Sequence, residues 1–365
     1  MTPTKLLYCI DSITRGGTES QLVGLIRRLD RRRFSPHLCT LRPSDNLIEN
    51  VDCPRLELPT RRLLAPGGIA SLRRLADYLR QENIQIVQTF FQDSTALGIT
   101  AARMARVPAR LISFRDLGFW RNPMWSLSMR CLYPWVTGFV ANSKAVKNHI
   151  CLLDHLDPRR VSVIYNGIDT NQYEFREHRE GELSIGIVGN LNRRVKRTDL
   201  FLRAAARVAA VHPEVSWHVI GDGALRGEYE SLAADLGIAE RTVFTGHSTD
   251  VSTYLHHLTI GVICSDSEGF SNAVLEYMLS GCAVVATAVG GNMEAVRDGV
   301  TGLLAPAGND EALAHALIRL IEDETTRLEL MRRARTMVER DFSWEKCVRE
   351  HEELYQSALL ASRQR

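Results

Sequence analysis

Short apolar runs alternate with amphipathic stretches along almost the whole chain. The runs at 5–10, 37–41, 84–88, 111–114, 136–141 and 161–164 have the length and composition of buried strands. Between them, the stretches at 19–29, 69–81, 95–104 and 143–151 carry apolar residues at helical spacing, as Leu22, Leu25, Ile26 and Leu29 do in the first. The program then restarts, with strands at 184–188, 216–221, 242–245, 260–264 and 283–286. Its helices are 199–211, 225–236, 272–280, 311–323, 325–339 and 344–360. Strand and helix in strict alternation predict parallel sheets covered by helices on both faces, an α/β fold.

Between the halves, the stretch from Asn166-Gly167-Ile168-Asp169 to Gly181 is polar and aperiodic, which predicts an interdomain linker. The expected divisions are a domain at 1–168, a second at 169–343 and a helical segment at 344–365. Two Rossmann-like, doubly wound halves on a hinge leave a central cleft between the carboxyl ends of two sheets, where such folds bind ligands. A length of 365 residues accommodates two cores.

Composition narrows the class. The apolar fraction of 45% and charged fraction of 24% are those of an ordinary globular protein. The eight cysteines form no C-x-x-C pair and several lie inside apolar runs, so reduced, buried thiols of a cytoplasmic protein are expected, with no metal site. The first ten residues enter a strand pattern with Lys5 as their only basic residue, which predicts no signal peptide. No apolar segment approaches the ~20 residues of a spanning helix, and 124–140, which contains Arg130 and Pro134, reads as a helix followed by a strand. Residues 1–170 hold 24 Lys+Arg against 14 Asp+Glu, and the remainder 21 against 29. The basic half carries Arg27, Arg28, Arg31, Arg32 and Arg33, then Arg61, Arg62, Arg73, Arg74 and Arg80. It faces either an anionic membrane surface or substrate, or only solvent.

Chemistry concentrates in Glu268-Gly269-Phe270-Ser271-Asn272-Ala273-Val274-Leu275-Glu276. A strand, a Gly/Ser/Asn turn and a helix form an anion site, because the first N–H groups of a helix lack internal partners. The backbone of Phe270, Ser271 and Asn272 is placed there. A carboxylate beside a phosphate is repelled, but Glu276, one turn on and about 6 Å along the axis, is placed to accept ribose hydroxyls. Asn272 and Glu276 share a helix face. A nucleotide diphosphate flanked by sugars fits this pattern. Asn190 and the cations Arg193, Arg194, Lys196 and Arg197 follow the first strand of the second half, either to neutralise a departing diphosphate or as a solvated basic loop. Gly16-Gly17, before the first helix, allow close approach to a donor phosphate or sugar, or only a tight turn. Gly221-Asp222-Gly223 and Gly246-His247 either line a nucleotide base or are plain turns.

Together these residues resemble the family 4 glycosyltransferases of the GT-B fold. The E-x7-E pair is Glu268 and Glu276, and Lys196 stands where a G-R-L-x4-K loop places its lysine. Asn166-Gly167-Ile168-Asp169 matches an N-G-V-D linker. Gly290-Gly291, Glu294, Asp298-Gly299 and Gly302-Leu303 match the late glycine pattern, and Phe342-Ser343-Trp344 the F-S-W before the final helix. The resemblance implies a final helix crossing back to the N-terminal domain and metal-independent, retaining transfer of a sugar from a nucleotide-sugar, without a cofactor. It places the donor in the C-terminal domain, with Glu268 on the donor sugar, Glu276 on the ribose and the basic loop on the leaving phosphate. It places a glycan or lipid-linked acceptor in the N-terminal domain, at the inner face of the membrane, with no nucleic acid partner.

Two departures stand out. Asn190 occupies a usual arginine position, leaving Arg193 or Arg194 to supply that charge. Arg115 stands near the expected position of a histidine in Ser113-Phe114-Arg115-Asp116. Arginine is no base at neutral pH. Arg115 is therefore expected to orient or neutralise, with Asp116 positioning the acceptor, unless Asp116-Leu117-Gly118 is only a turn. Alternatives are a GT-B epimerase or phosphorylase, or a silent nucleotide-sugar-binding subunit.

Overall fold

The computed structural model describes all residues except 1, 15, 61, 119–120, 122, 178–182, 248–250 and 364–365. Arg61 and the Gly181 end of the expected linker therefore lie outside the described residues. The chain divides into two compact units, Met1–Gly167 with Trp344–Arg365, and Ile168–Ser343. The first boundary falls one residue before the expected 168, because Ile168 donates its N–H to the Phe342 carbonyl and bridges to Ser343.

In the first unit, β1 (Thr4–Ile10), β2 (Phe34–Thr40), β3 (Arg55–Glu57), β4 (Ile86–Phe90), β5 (Ala109–Phe114), β6 (Gly138–Ala141) and β7 (Val161–Val163) form one parallel sheet. Its order is β3-β2-β1-β4-β5-β6-β7. The helices α1 (Gly17–Arg28), α2 (Pro66–Gln81), α3 (Gln92–Met104), α4 (Pro123–Leu132) and α5 (Lys144–Asp154) connect the strands. Successive residues of β1 feed opposite cores, Leu6, Tyr8 and Ile10 on one face and Leu7 and Cys9 on the other. That two-sided burial explains why the strands read as continuous apolar runs.

The second unit repeats the plan with β8 (Ser184–Val188), β9 (Ser216–Ile220), β10 (Thr242–Gly246), β11 (Ile260–Ile263), β12 (Ala283–Thr287) and β13 (Leu303–Ala305), in the order β10-β9-β8-β11-β12-β13. Its helices are α6 (Thr198–Ala209), α7 (Arg226–Asp235), α8 (Ser252–Leu255), α9 (Asn272–Leu279), α10 (Asn292–Ala295), α11 (Asp310–Glu322) and α12 (Glu324–Asp341). The strands β3 and β13 were not expected. Each has three residues, and neither lies in an apolar run rich in β-branched residues, of the kind that marks the equally short β7.

The last helix, α13 (Trp344–Arg363), belongs to the first unit. Its Tyr355 hydroxyl donates to Gln88 Oε1 at 2.5 Å and lies 3.0 Å from the Tyr8 hydroxyl, both inside the sheet. Glu352 accepts from the Asp30 N–H at 3.0 Å and pairs with Arg33. The arginines after α1 are thus mostly engaged within the protein. Arg28 stacks on Trp344, Arg31 donates to the Ile26 and Asp52 carbonyls, and Arg32 pairs with Asp30. All eight cysteines are free thiols, but not all are buried as expected: Cys131 is exposed on the outer face of α4, and Cys53 and Cys151 are half-buried.

Candidate functional site

The second sheet reverses its winding between β8 and β11, which are hydrogen-bonded neighbours. At such a switch point the loops leaving two adjacent strands diverge and open a crevice at their carboxyl ends. The loop after β8 carries residues 189–197 and the turn after β11 carries 264–271. The Asp266 N–H donates to the Val195 carbonyl at 2.9 Å and ties the two together.

Lys196 ends a single 3-10 turn, Arg194–Lys196, and its Nζ donates to Glu268 Oε1 at 2.5 Å. The same oxygen accepts from the Ser265 hydroxyl at 2.7 Å. Glu268 is buried and Lys196 about a third exposed, so the pair has one side toward solvent. Ser265 was not singled out in the sequence, since a serine at a strand end has no signature there. Past Glu268, Phe270 packs its ring on Phe342 at 5.2 Å, leaving backbone in the turn. Ser271 caps α9 without a side-chain hydrogen bond. The Gly291 N–H donates to the Glu268 carbonyl at 3.1 Å, and a Cβ there would stand 2.1 Å from the Gly269 oxygen, so only glycine permits this approach. Glu276 lies one turn along α9 from Asn272. No described residue hydrogen-bonds its side chain, and burial pushes its carboxyl up to about 7.

The neighbouring basic residues divide. Arg194 is paired with Glu228 of α7 in a two-pronged contact at 2.6 and 2.7 Å, with both side chains more than half exposed. The fork geometry of guanidinium and carboxylate makes that pairing the natural resting state. Arg197 is shared between Asp199 and Asp266, whose carboxylates raise its pKa. Arg193 is exposed and makes no side-chain hydrogen bond or ion pair with the described residues. Asn190 accepts from the Asn192 N–H at 2.8 Å and shapes the loop. Gly221 lies in the adjoining loop at φ +139°, where a Cβ would stand 2.0 Å from the Gly189 oxygen. Among the described residues no group of three His, Cys, Asp or Glu side chains could hold a metal ion.

The remaining candidates lie in the first unit. Gly16 caps α1 and Gly17 begins it. Asp116 accepts from the Gly118 N–H at 2.7 Å, so one carboxylate oxygen shapes a turn. Arg115, at the end of β5, donates through one terminal nitrogen to Asn166 Oδ1 at 2.7 Å, while its Nε is buried with no partner. Desolvation draws its pKa down to about 10. Arg115 and Asp116 line a cavity of about 30 Å³ with Gln92, Thr95, Ser113 and Arg121. Arg121 is fixed by the buried Asp154, which also accepts from the Tyr133 hydroxyl at 2.7 Å.

Two parallel-sheet Rossmann-like units, with an acidic turn and a basic loop at the switch point of the second, define the GT-B fold class. Two family models match the chain: "Glycosyltransferase Family 4" over residues 15–172 and "Glycosyl transferases group 1" over residues 182–323. The chain belongs to the family 4 glycosyltransferases. It is 27% identical over 281 residues to the Vi polysaccharide biosynthesis protein VipC/TviE of Salmonella typhi, covering 69% of this chain and 48% of that protein. It is 30% identical over 239 residues to D-inositol 3-phosphate glycosyltransferase of Mycobacterium ulcerans (strain Agy99), covering 62% of this chain and 50% of that protein. The chain thus spans about half the length of these curated relatives. Among solved structures, Anabaena Alr3699/HepE in complex with UDP aligns with a TM-score of 0.86 at 20% identity, over 97% of this chain and 100% of that one. Sucrose-phosphate synthase from Thermosynechococcus elongatus aligns with a TM-score of 0.81 at 18% identity, over 98% and 100%.

Proposed function

We propose that this protein is a retaining, metal-independent glycosyltransferase that moves a sugar from a nucleotide-sugar to an acceptor hydroxyl. The observation that carries this is the Lys196–Glu268 pair at the β8/β11 switch point, with the unpartnered Glu276 carboxyl one turn along α9. In this reading the diphosphate lies on the backbone of Phe270, Ser271 and Asn272, and Glu276 accepts the ribose hydroxyls. Glu268 contacts the donor sugar. Lys196 and Arg193 stabilise charge on the departing diphosphate, which takes the acceptor's proton during same-face attack. The first unit takes the acceptor. The UDP complex of Alr3699/HepE makes UDP the first nucleotide to test. Thermal-shift screening of the purified protein against UDP, GDP and their sugars is expected to show stabilisation of about 2.7 kcal/mol at a hundred times Kd for the true donor. If none of these ligands moves Tm, the assignment fails. Asn190 and the pairing of Arg194 with Glu228 favour one rival, a silent nucleotide-sugar-binding subunit, and donor hydrolysis by the purified chain would exclude it.

We propose further that the acceptor is a growing polysaccharide or lipid-linked oligosaccharide at the inner, anionic face of a membrane. Among the described residues no helix is long and apolar enough to cross one. Support comes from α4 and α5, which Arg130 joins through the Leu153 carbonyl. They expose Met124, Leu127, Leu152 and Leu153, the first, second and third by 75%, 64% and 78%. Arg130, Lys144 and Lys147 accompany them, and the one carboxylate in 123–155, Asp154, is buried. Apolar side chains beside cations suit an anionic interface. Co-sedimentation with phosphatidylcholine/phosphatidylglycerol vesicles at low salt is expected for the wild type. The pair Leu127→Glu and Leu152→Glu is expected to weaken it at least tenfold, given about 1.5–3 kcal/mol per inserted leucine. Wild-type protein remaining in the supernatant would point to a soluble acceptor.

A further inference from the structure

Arg115 is a charged group that the fold does not neutralise. It leaves β5 between Phe114, packed on Phe139, and Asp116, committed to its turn. Its hydrogen-bond partner is a neutral amide, Asn166 Oδ1. No carboxylate of the described residues forms an ion pair with it. Glu19 acts on it only through space and is engaged by the Thr14 hydroxyl at 3.1 Å. From α13 it faces Cys347, and nearby His351 is held uncharged by burial. Asn142, at the end of the adjacent strand, donates to the Arg115 carbonyl at 3.0 Å and leaves its own Oδ1 buried without a partner. Two unmet polar atoms thus sit at the carboxyl ends of β5 and β6, and Arg115 forms part of the wall of the 30 Å³ cavity.

A half-buried cation without a counter-charge costs folding free energy through lost hydration. A planar guanidinium that lines a cavity and has no counter-charge is suited to an oxyanion. The cavity holds about as much as one or two waters, too little for a sugar ring but enough for one small anionic substituent. We infer that Arg115 receives an anionic oxygen on the acceptor, from a sugar carboxylate or a phosphate monoester, and so makes this chain select an acidic acceptor. The inference rests on the reading that the first unit takes the acceptor.

The test is calorimetry on the whole protein saturated with UDP, using methyl glucuronide, methyl glucoside 6-phosphate and neutral methyl glucoside. Wild type is expected to bind one anionic ligand at least tenfold more tightly than the neutral one. The preferred anion identifies carboxylate or phosphate. Arg115→Met, which keeps the apolar stem, is expected to lose that preference without a lower Tm, whereas a merely structural arginine would lower Tm. Asn166→Asp, which supplies an internal counter-charge, is expected to lose the preference as well. Equal binding of the three ligands, or a preference that survives in both variants, overturns the proposal. Titration of UDP separates the two failures: if UDP does not bind, the donor reading fails, and if UDP binds without any acidic preference, this inference fails.

Discussion

Lys196→Ala is expected to lower kcat for transfer from the true nucleotide-sugar by about 10²–10³, the usual loss when one preorganised electrostatic donor is removed. The ground lies in what Lys196 does without ligand. Its ammonium rests on Glu268 Oε1, with the Ser265 hydroxyl on the same oxygen. A donor phosphate over the turn would draw Nζ from a carboxylate toward a stronger, developing anion, so the interaction grows as the leaving group departs. Removing the lysine has a second effect, because Glu268 is buried and keeps only a hydroxyl partner. A fully buried pair broken this way loses several kcal/mol, but Lys196 is 30% exposed, so a loss of about 1–2 kcal/mol is expected. The double variant Lys196→Ala/Glu268→Gln separates the effects: stability returns while turnover stays low. Arg193→Ala is expected to slow turnover by about tenfold or less, since its charge is exposed and screened. Arg194→Ala is expected to stay near wild type, because Glu228 already holds that guanidinium. Steady-state rates with unchanged kcat and KM for Lys196→Ala would remove the lysine from the mechanism.

How far the sequence could be read follows from which forces leave a period. The alternation of two-sided apolar strands with amphipathic helices is a burial pattern, and burial is written residue by residue, so both sheets were legible. The edge strands β3 and β13 were not, since their pairing with β2 and β12 is backbone chemistry that leaves almost no side-chain trace, whereas β7, equally short, showed as the apolar run at 161–164. The Glu268 turn could be located because strand, turn and helix follow each other directly. Its coupling to Lys196 could be suspected only from topology: the residues are 72 apart, and adjacency of β8 and β11 brings them together. Counting charges misled in two places. Four cations after β8 looked like one anion receptor, yet Glu228, Asp199 and Asp266 claim two of them. Likewise the arginines after α1 looked like a free surface, and α13 supplies Trp344 and Glu352 to engage two of them. In both cases some of the partners, Glu228 and Asp266 in one and Trp344 and Glu352 in the other, come from elsewhere in the fold, where linear charge density cannot reveal them. Arg115 is the converse case, a charge without a counter-charge, and only the folded arrangement shows that its hydrogen-bond partner is a neutral amide and its Nε is buried unpaired.

Glu276→Gln is expected to make the ligand-free protein more stable at pH 8 and to weaken nucleotide binding there. The native carboxyl is pushed up to about 7 by burial, whereas in the unfolded chain a glutamate titrates near 4.3. Below about pH 4 both states hold the proton and the group contributes nothing to pH dependence. Between about 4.3 and 7 the unfolded chain releases its proton while the native state retains it, so stability falls as pH rises. Above about pH 7 a fixed penalty remains, on the order of 1–3 kcal/mol for a group in partial contact with solvent. The glutamine carries no such penalty, and its stability curve should run flatter over this window. Ribose hydroxyls are donors and favour the ionised carboxylate, so binding must expel the proton wherever the free protein holds it. Wild-type affinity for UDP should accordingly strengthen by about 10–30-fold between pH 5.5 and 8.5 beyond whatever the diphosphate's own titration contributes. Glu276→Gln binds the same titrating ligand and serves as the reference, so the difference between the two pH profiles isolates the carboxyl. Parallel profiles from calorimetry would mean that Glu276 does not meet the nucleotide, and an unchanged urea midpoint between pH 5 and 8 in both proteins would mean that its burial places no strain on the fold.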